Sequence, residues 1–345
     1  MATGDLSPRK GAILTALVEQ YIRSGEPVGS EAVAAASALG VSSATIRHEL
    51  AALEEMGYLT QPHTSAGRAP TDLAYRYYVN LLPPTPRLRS AERRAIVHFF
   101  DEALANVDEM LRGTTQLLSR LTRYASLALA PSPTETKIAR AELVNLGTAT
   151  LMLVVFETGQ IEKRQLELAG VSDEEIEDVS RTVIEAFRGR TLNAARGTAR
   201  ERAKAATGGD RTILDRVAEA LESIGQAGET THIFLGGVAN IAAEEAFERR
   251  ETLRRIYQAL ERESAILRLL RQAALAPPVS VMIGHENPLP EMWEASVVAA
   301  PFVAGGGATG TIGVIGPTRM DYLAAISAVR EVAKRLSAAG DAAAP

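Results

Sequence analysis

The chain has 345 residues, 46% of them hydrophobic and 23% charged, with a formal net charge of −5 and no cysteine. This is the composition of a globular protein of two or three domains. It excludes disulfides, thiolate zinc sites and cysteine nucleophiles, and the longest apolar runs, around Leu151–Phe156 and Ser296–Ala304, are strand-sized and too short to cross a bilayer. Met1 to Lys10 lacks the apolar core of a signal peptide, so a soluble, cytoplasmic protein with no membrane partner is expected.

Ser7 and Pro8 open the first helix, as N-cap and first helical residue. Ile13, Leu14, Leu17, Val18, Tyr21 and Ile22 recur along it at helical spacing, and Gly25 stops it. After the turn Pro27-Val28-Gly29, Ser30 caps a short helix over Glu31–Ala36, and Ala38-Leu39-Gly40-Val41 makes a second tight connection. Ser42 or Ser43 caps a third helix running to Met56, with Ile46, Leu50 and Leu53 as its buried stripe. Gly57 ends it, Tyr58–Gln61 reads as a short strand, Pro62 to Arg68 as a turn, and Leu73–Leu82 as a fourth helix. Helix, helix, helix, strand, turn, helix is the order of a winged helix-turn-helix over residues 1–82.

Pro83-Pro84-Thr85-Pro86 marks a stiff linker over 83–89. A helical region is expected from Ser90 to Ala130, carried by Leu104, Val107, Leu111, Leu117, Leu118 and Leu121. The period then changes: 138–146, 149–157 and 161–168 read as three strands, the last two joined at Thr158-Gly159-Gln160. Ser172 caps an acidic helix start, and helices fill 191–226. A strand at Ile233–Leu235, one long helix over 242–275, strands near 279–283, 295–303 and 309–315, and a helix over 320–337 complete the chain. Two β-containing bodies therefore follow the N-terminal unit.

The polar side of the third helix carries Ser42, Ser43, Thr45, Arg47 and His48. An arginine there can bond guanine bidentately in the major groove, and hydroxyls and the helix N-terminus suit phosphates. Alone, such a face is more often that of a solvated helix capped by serine; the preceding helix and the wing turn the reading toward DNA. The wing, Pro62-His63-Thr64-Ser65-Ala66-Gly67-Arg68, is short, polar and free of acid, and can lie against a backbone or reach a minor groove. Charge argues the other way: residues 1–80 hold six Arg/Lys and eight Asp/Glu, where a basic domain would be the usual electrostatic footprint. Gly305 to Gly310 satisfies G-x-G-x-x-G, but an apolar β-rich segment follows it and not a helix, so no dinucleotide site is expected. The five histidines show no metal-ligand spacing, His285-Glu286-Asn287 reads as a polar loop, and no catalytic constellation is visible. No cofactor, no metal and no enzyme activity are expected.

Longer strings carry a resemblance. Glu26-Pro27-Val28-Gly29-Ser30, Val41-Ser42-Ser43-Ala44-Thr45-Ile46-Arg47, Gly57-Tyr58-Leu59 and Pro62 to Thr71 resemble the heat-inducible transcription repressor family, HrcA. So do Phe234-Leu235-Gly236-Gly237, Ile283 to Asn287 and Gly313 to Tyr322. The chain departs from that pattern at His48-Glu49-Leu50, where the family often carries asparagine, aspartate and methionine, and its second helix lacks lysines. The resemblance implies an α+β multidomain fold: the winged helix, a GAF-like α/β domain over 90–135 and 229–340, and an inserted α+β dimerisation domain over 136–228. It also implies a homodimer that represses chaperone operons at an inverted-repeat operator of double-stranded DNA, the CIRCE element, with its activity supported by the GroE chaperonin. Contacts are expected from Ser42, Ser43, Thr45, Arg47, His48, His63, Thr64, Ser65 and Arg68. A regulator sensing a small molecule through the GAF-like domain is the alternative.

Overall fold

The computed structural model describes residues 6–342 except 37–39, 64–66, 84–87, 102–106, 135, 148, 230–232, 244–246, 248–249 and 275–277. The turn expected at 38–41, the linker at 83–89 and Leu104 thus lie partly or wholly outside the described residues.

The N-terminal head contains α1 (Pro8–Ser24), α2 (Ser30–Ala36), α3 (Ser43–Glu55), β1 (Leu59–Thr60), β2 (Ala69–Pro70) and α4 (Asp72–Leu81). Its boundaries follow local chemistry. The Ser7 hydroxyl accepts from the Lys10 amide, Pro8 occupies the first turn, and Gly25 closes α1 at φ +71°. Ile13, Leu14, Leu17, Val18, Val33, Ile46 and Leu53 are wholly buried together, each helix contributing one stripe to a single core. The antiparallel pair β1–β2 forms the wing. Val28, in the turn between α1 and α2, joins the wing by two backbone bonds of 2.9 Å to Arg68. Gly67 permits this approach, because a Cβ there would stand 2.4 Å from the Val28 carbonyl carbon.

The second body is built on a five-stranded antiparallel sheet, in the order β7 (Ile233–Gly236), β3 (Ala125–Leu129), β10 (Thr309–Pro317), β9 (Ala295–Val303), β8 (Ser280–Ile283). Its two faces fill different cores. Ala128, Val298, Ala300, Phe302, Ile312 and Val314 pack with α6 (Val107–Thr122) and α13 (Tyr322–Ala342). Ala125, Leu127, Leu129, Val297 and Ile315 pack with α11 (Arg250–Glu261) and α12 (Glu263–Ala274). Helix α5 (Ser90–Asp101) precedes α6, and α10 (Ala239–Ala243) follows β7.

Two expectations are corrected here. The helix expected to reach Ala130 ends at Thr122; Arg123 turns to φ +63°, and Ala125–Leu129 is a central strand. Every residue of that strand is buried, and a continuous apolar run carries no period that separates buried strand from buried helix. The helix expected over 242–275 is broken at Arg262, between α11 and α12, where the Ala265 amide bonds the Arg262 carbonyl. Gly305–Gly307 is a single 3-10 turn inside the β9–β10 hairpin, closed by the Ala304 amide on the Ala308 carbonyl at 2.8 Å, so no helix N-terminus exists there to meet a pyrophosphate.

The third unit has its own core, drawn wholly from residues between Ile138 and Ile224. Strands β4 (Ile138–Asn145), β5 (Thr150–Phe156) and β6 (Ile161–Leu166) form an antiparallel sheet. Helices α7 (Asp173–Val179), α8 (Leu192–Ala205) and α9 (Gly208–Glu229) complete the unit, with residues of all three in the core that Met152, Val154 and Phe156 enter from the sheet. Ser172 and Glu175 cap α7 reciprocally, each side chain bonding the other residue's amide. The multidomain α+β architecture with an N-terminal winged helix stands as expected. Among the described residues no helix is long and apolar enough to cross a membrane, and no group of side chains could hold a metal ion.

Candidate nucleic-acid interface

Helix α3 is amphipathic, and its inward stripe decides its outward one. With Ile46, Leu50 and Leu53 buried, the helical period turns Ala44, Arg47 and His48 to the opposite side, where all three are exposed. Ser42 is the N-cap: its hydroxyl accepts from the Thr45 amide at 3.3 Å and pairs with the Thr45 hydroxyl at 3.0 Å. Both hydroxyls are thus held at the helix N-terminus, where backbone donors and the helix dipole favour an anion. Ser43 lies beside them, partly buried.

His63 is exposed at the start of the wing loop, while Thr64 and Ser65 lie outside the described residues. Arg68 stands at the wing base and turns back toward α3, its Nε 2.7 Å from the Glu54 carboxylate and its side chain 21% exposed. Thr71 locks the same base, donating its hydroxyl to the carbonyls of Gly57 at 2.8 Å and Tyr58 at 3.0 Å. The structure therefore brings Ser42, Ser43, Thr45, Arg47 and His48 together on α3, and holds the Arg68 guanidinium in an internal ion pair.

A second pairing was invisible in the sequence. Lys10 on α1 forms an ion pair with Glu49 on α3 at 2.8 Å. The Lys10 ammonium holds that carboxyl below the usual carboxylate range against the opposing effect of burial, with smaller help from the charges of Arg9 and His48. No spacing rule links residues so far apart in the chain. Of the six cations of the head, Lys10, Arg68 and Arg76 are thus paired with Glu49, Glu54 and Glu286, and Arg23 faces Glu19. Arg47 and Arg9 stay exposed. These two exposed cations stand in the N-terminal halves of α1 and α3.

Comparison with known proteins agrees with this geometry. Residues 5–81 match the family described as "Winged helix-turn-helix transcription repressor, HrcA DNA-binding", and residues 108–326 match "HrcA protein C terminal domain". The chain is 41% identical over 332 residues to the heat-inducible transcription repressor HrcA of Thermobifida fusca, covering 95% of each chain. It is 38% identical over 335 residues to the protein of that name from Mycobacteroides abscessus, covering 96% of this chain and 97% of the relative. Among solved structures, a hypothetical protein determined at 2.2 Å shares the fold, with a TM-score of 0.67 at 23% identity over 98% of this chain and all of that one.

Proposed function

The chain belongs to the HrcA family of heat-inducible transcription repressors, and from that premise we propose that it represses chaperone operons by binding an inverted-repeat, CIRCE-type operator as a homodimer. The observation that carries this reading is the outward face of α3, where Arg47 and His48 stand exposed beside the hydroxyl-lined helix start. Arg47 reads a base edge and His48 flanks it, while Ser42, Ser43, Thr45, His63, Thr64 and Ser65 serve the backbone. Arg68 reaches a phosphate only when its pair with Glu54 opens. The role is one of binding without catalysis, in the cytoplasm.

An inverted repeat requires a two-fold protein, and the dimer contact is assigned to the unit over 136–228. The sheet face turned away from its core carries Leu151, Leu153 and Val155 in a row, all partly exposed, next to Ile161 at 63% exposure. Glu142 and Lys163 lie opposite Leu153 at the two ends of one cross-strand row. A two-fold axis parallel to the strands sets Glu142 of one copy against the partner's Lys163, so the face complements itself. The remaining residues, 90–135 and 229–340, form the GAF-like body. Two weakly charged heads on one dimer then combine their affinities through effective concentration.

Footprinting the purified protein on upstream regions of chaperone genes tests the reading. Protection of two symmetric half-sites is expected, and protection absent from every such region would refute it. GroE dependence is tested separately: recovery of DNA binding after thermal unfolding should rise when chaperonin is supplied, and full unaided recovery would remove that step.

A further inference from the structure

The head does not hang on its linker; it is bolted to the second body through α4. Asp72, in the first turn of α4, accepts from the His285 amide at 2.9 Å and pairs with His285 Nδ1 at 2.8 Å. The His285 ring in turn stacks on Trp293, with centroids 4.8 Å apart. One turn along α4, Arg76 forks onto Glu286, with Nε 2.8 Å from Oε1 and a terminal nitrogen bonded to Oε2. That nitrogen also donates to the Val281 carbonyl at 2.6 Å, and Glu286 itself accepts from the Ile283 amide. Such a planar fork defines direction as well as distance. Gly284, at φ +49°, lies so close that a Cβ would stand 2.2 Å from the Asp72 carboxylate.

Beneath these polar contacts the apolar core is continuous. Ala74, Tyr75 and Tyr78 of α4 belong to the same buried cluster as Ile283, Met320 and Tyr322, and the Tyr75 and Tyr322 rings meet at 5.9 Å. None of these residues lies on the exposed face of α3, and none belongs to the core of the 136–228 unit.

We propose that Asp72 and Arg76 are positioning residues for operator recognition: by clasping Glu286 and His285 they orient the head on the body, and thereby set the half-site spacing the dimer accepts. This rests on the dimeric operator reading above. A two-fold protein with rigidly mounted recognition helices meets successive major grooves only when the half-sites lie a fixed distance apart. With loosely tethered heads the second half-site is engaged over a range of spacings, at a lower effective concentration.

The test uses the full-length protein and a series of inverted-repeat duplexes whose spacer is lengthened or shortened one base pair at a time, with a single half-site duplex beside them. The parent should show a narrow optimum. Asp72→Ala with Arg76→Ala should bind the optimal spacing roughly tenfold more weakly and the others nearly as before, flattening the profile, with half-site affinity unchanged. Arg76→Lys alone, which keeps the charge but loses the fork, should flatten the profile less than the double variant. An unaltered spacing profile, an equal loss on the half-site, or a gain at every spacing would each overturn the assignment.

Because the chain has no cysteine, Glu55→Cys and Lys334→Cys allow spin labels on head and body of the same protomer. Their distance distribution should be narrow in the parent and broad in the Asp72/Arg76 variant, and unchanged widths would sink the clasp whatever the DNA result. A parent that binds no inverted repeat would overturn the operator reading and the spacing role with it, while the distance measurement still decides the clasp.

Discussion

Helix α3 turns Arg47 and His48 to solvent, whereas α4, on the other side of the wing, turns Tyr75 and Arg76 into the second body. The two belong to one small domain, and each is amphipathic. Their polar residues are nevertheless placed differently: on α3 Arg47 and His48 stay exposed, while on α4 Asp72 and Arg76 are paired with His285 and Glu286. Counting charges over the head gives a slightly acidic domain and an argument against DNA. Pairing does not change that balance, since Lys10–Glu49 and Arg68–Glu54 each withdraw one base and one acid and Arg76 is paired with Glu286 outside the head; what it leaves is Arg47 exposed on the outward face of α3.

The contrast can be broken first from the inner side. Tyr75 is 2% exposed, and burial pushes its phenol well above the ordinary range, so it stays neutral in the core. Tyr75→Ala should remove about 3–5 kcal/mol of stability, seen as a large drop in thermal midpoint, with DNA binding falling only as the fold does. A variant that keeps its melting temperature would show that α4 is not a structural joint. Arg47→Ala is the converse experiment. It should leave the melting curve in place and cost about 1–3 kcal/mol of operator affinity, relaxing specificity at one base position; an unaltered gel-shift titration would remove Arg47 from the interface.

Smaller effects sharpen the boundary between the two faces. Glu54→Gln dissolves the ion pair that holds Arg68. If the freed guanidinium then reaches a phosphate, affinity should rise about twofold to threefold at low salt, and the slope of log affinity against log salt should steepen by roughly 1.8, about 0.9 for each of the dimer's two Arg68 side chains. An unchanged slope would make Arg68 purely structural. The smallest effect is acid sensitivity. Because the Glu49 carboxyl titrates below its ordinary value of 4.5, its pairing with Lys10 contributes fully above that pH and is lost as pH falls through the depressed value. Glu49→Gln should abolish that part of the acid dependence of urea midpoints while leaving the rest of the profile intact.

How much of this was legible in the chain depended on the range of the interaction. Caps such as Ser7, Ser42 and Ser172 act on backbone donors within three residues, so they are written in the local sequence, and with them the helix order of the head. The apolar stripe of α3 was legible for the same reason, and it alone predicts that Arg47 and His48 face outward. Strand β3 was not: an all-buried strand and a buried helix share the same composition, and only the hydrogen-bonding neighbours β7 and β10 select between them. His285-Glu286-Asn287 reads as a polar loop because its acceptor and donor, Asp72 and Arg76, lie some 210 residues earlier. Asn287 is itself 3% exposed, its amide nitrogen within bonding distance of the carbonyls of Gly284, Met292 and Ala295.

By itself, then, the sequence determined the winged-helix order, the outward face of α3 and, through strings from Pro27 to Tyr322, the family. Each of these rests on periodicity, capping or identity within short windows. Only the tertiary structure decided that Arg68 is turned inward on Glu54, that β3 is a strand between two cores, and that the head is clasped to the body through Asp72 and Arg76. Those outcomes depend on which distant groups arrive within about 3 Å of one another, the reach of a hydrogen bond, and chain order does not encode that distance.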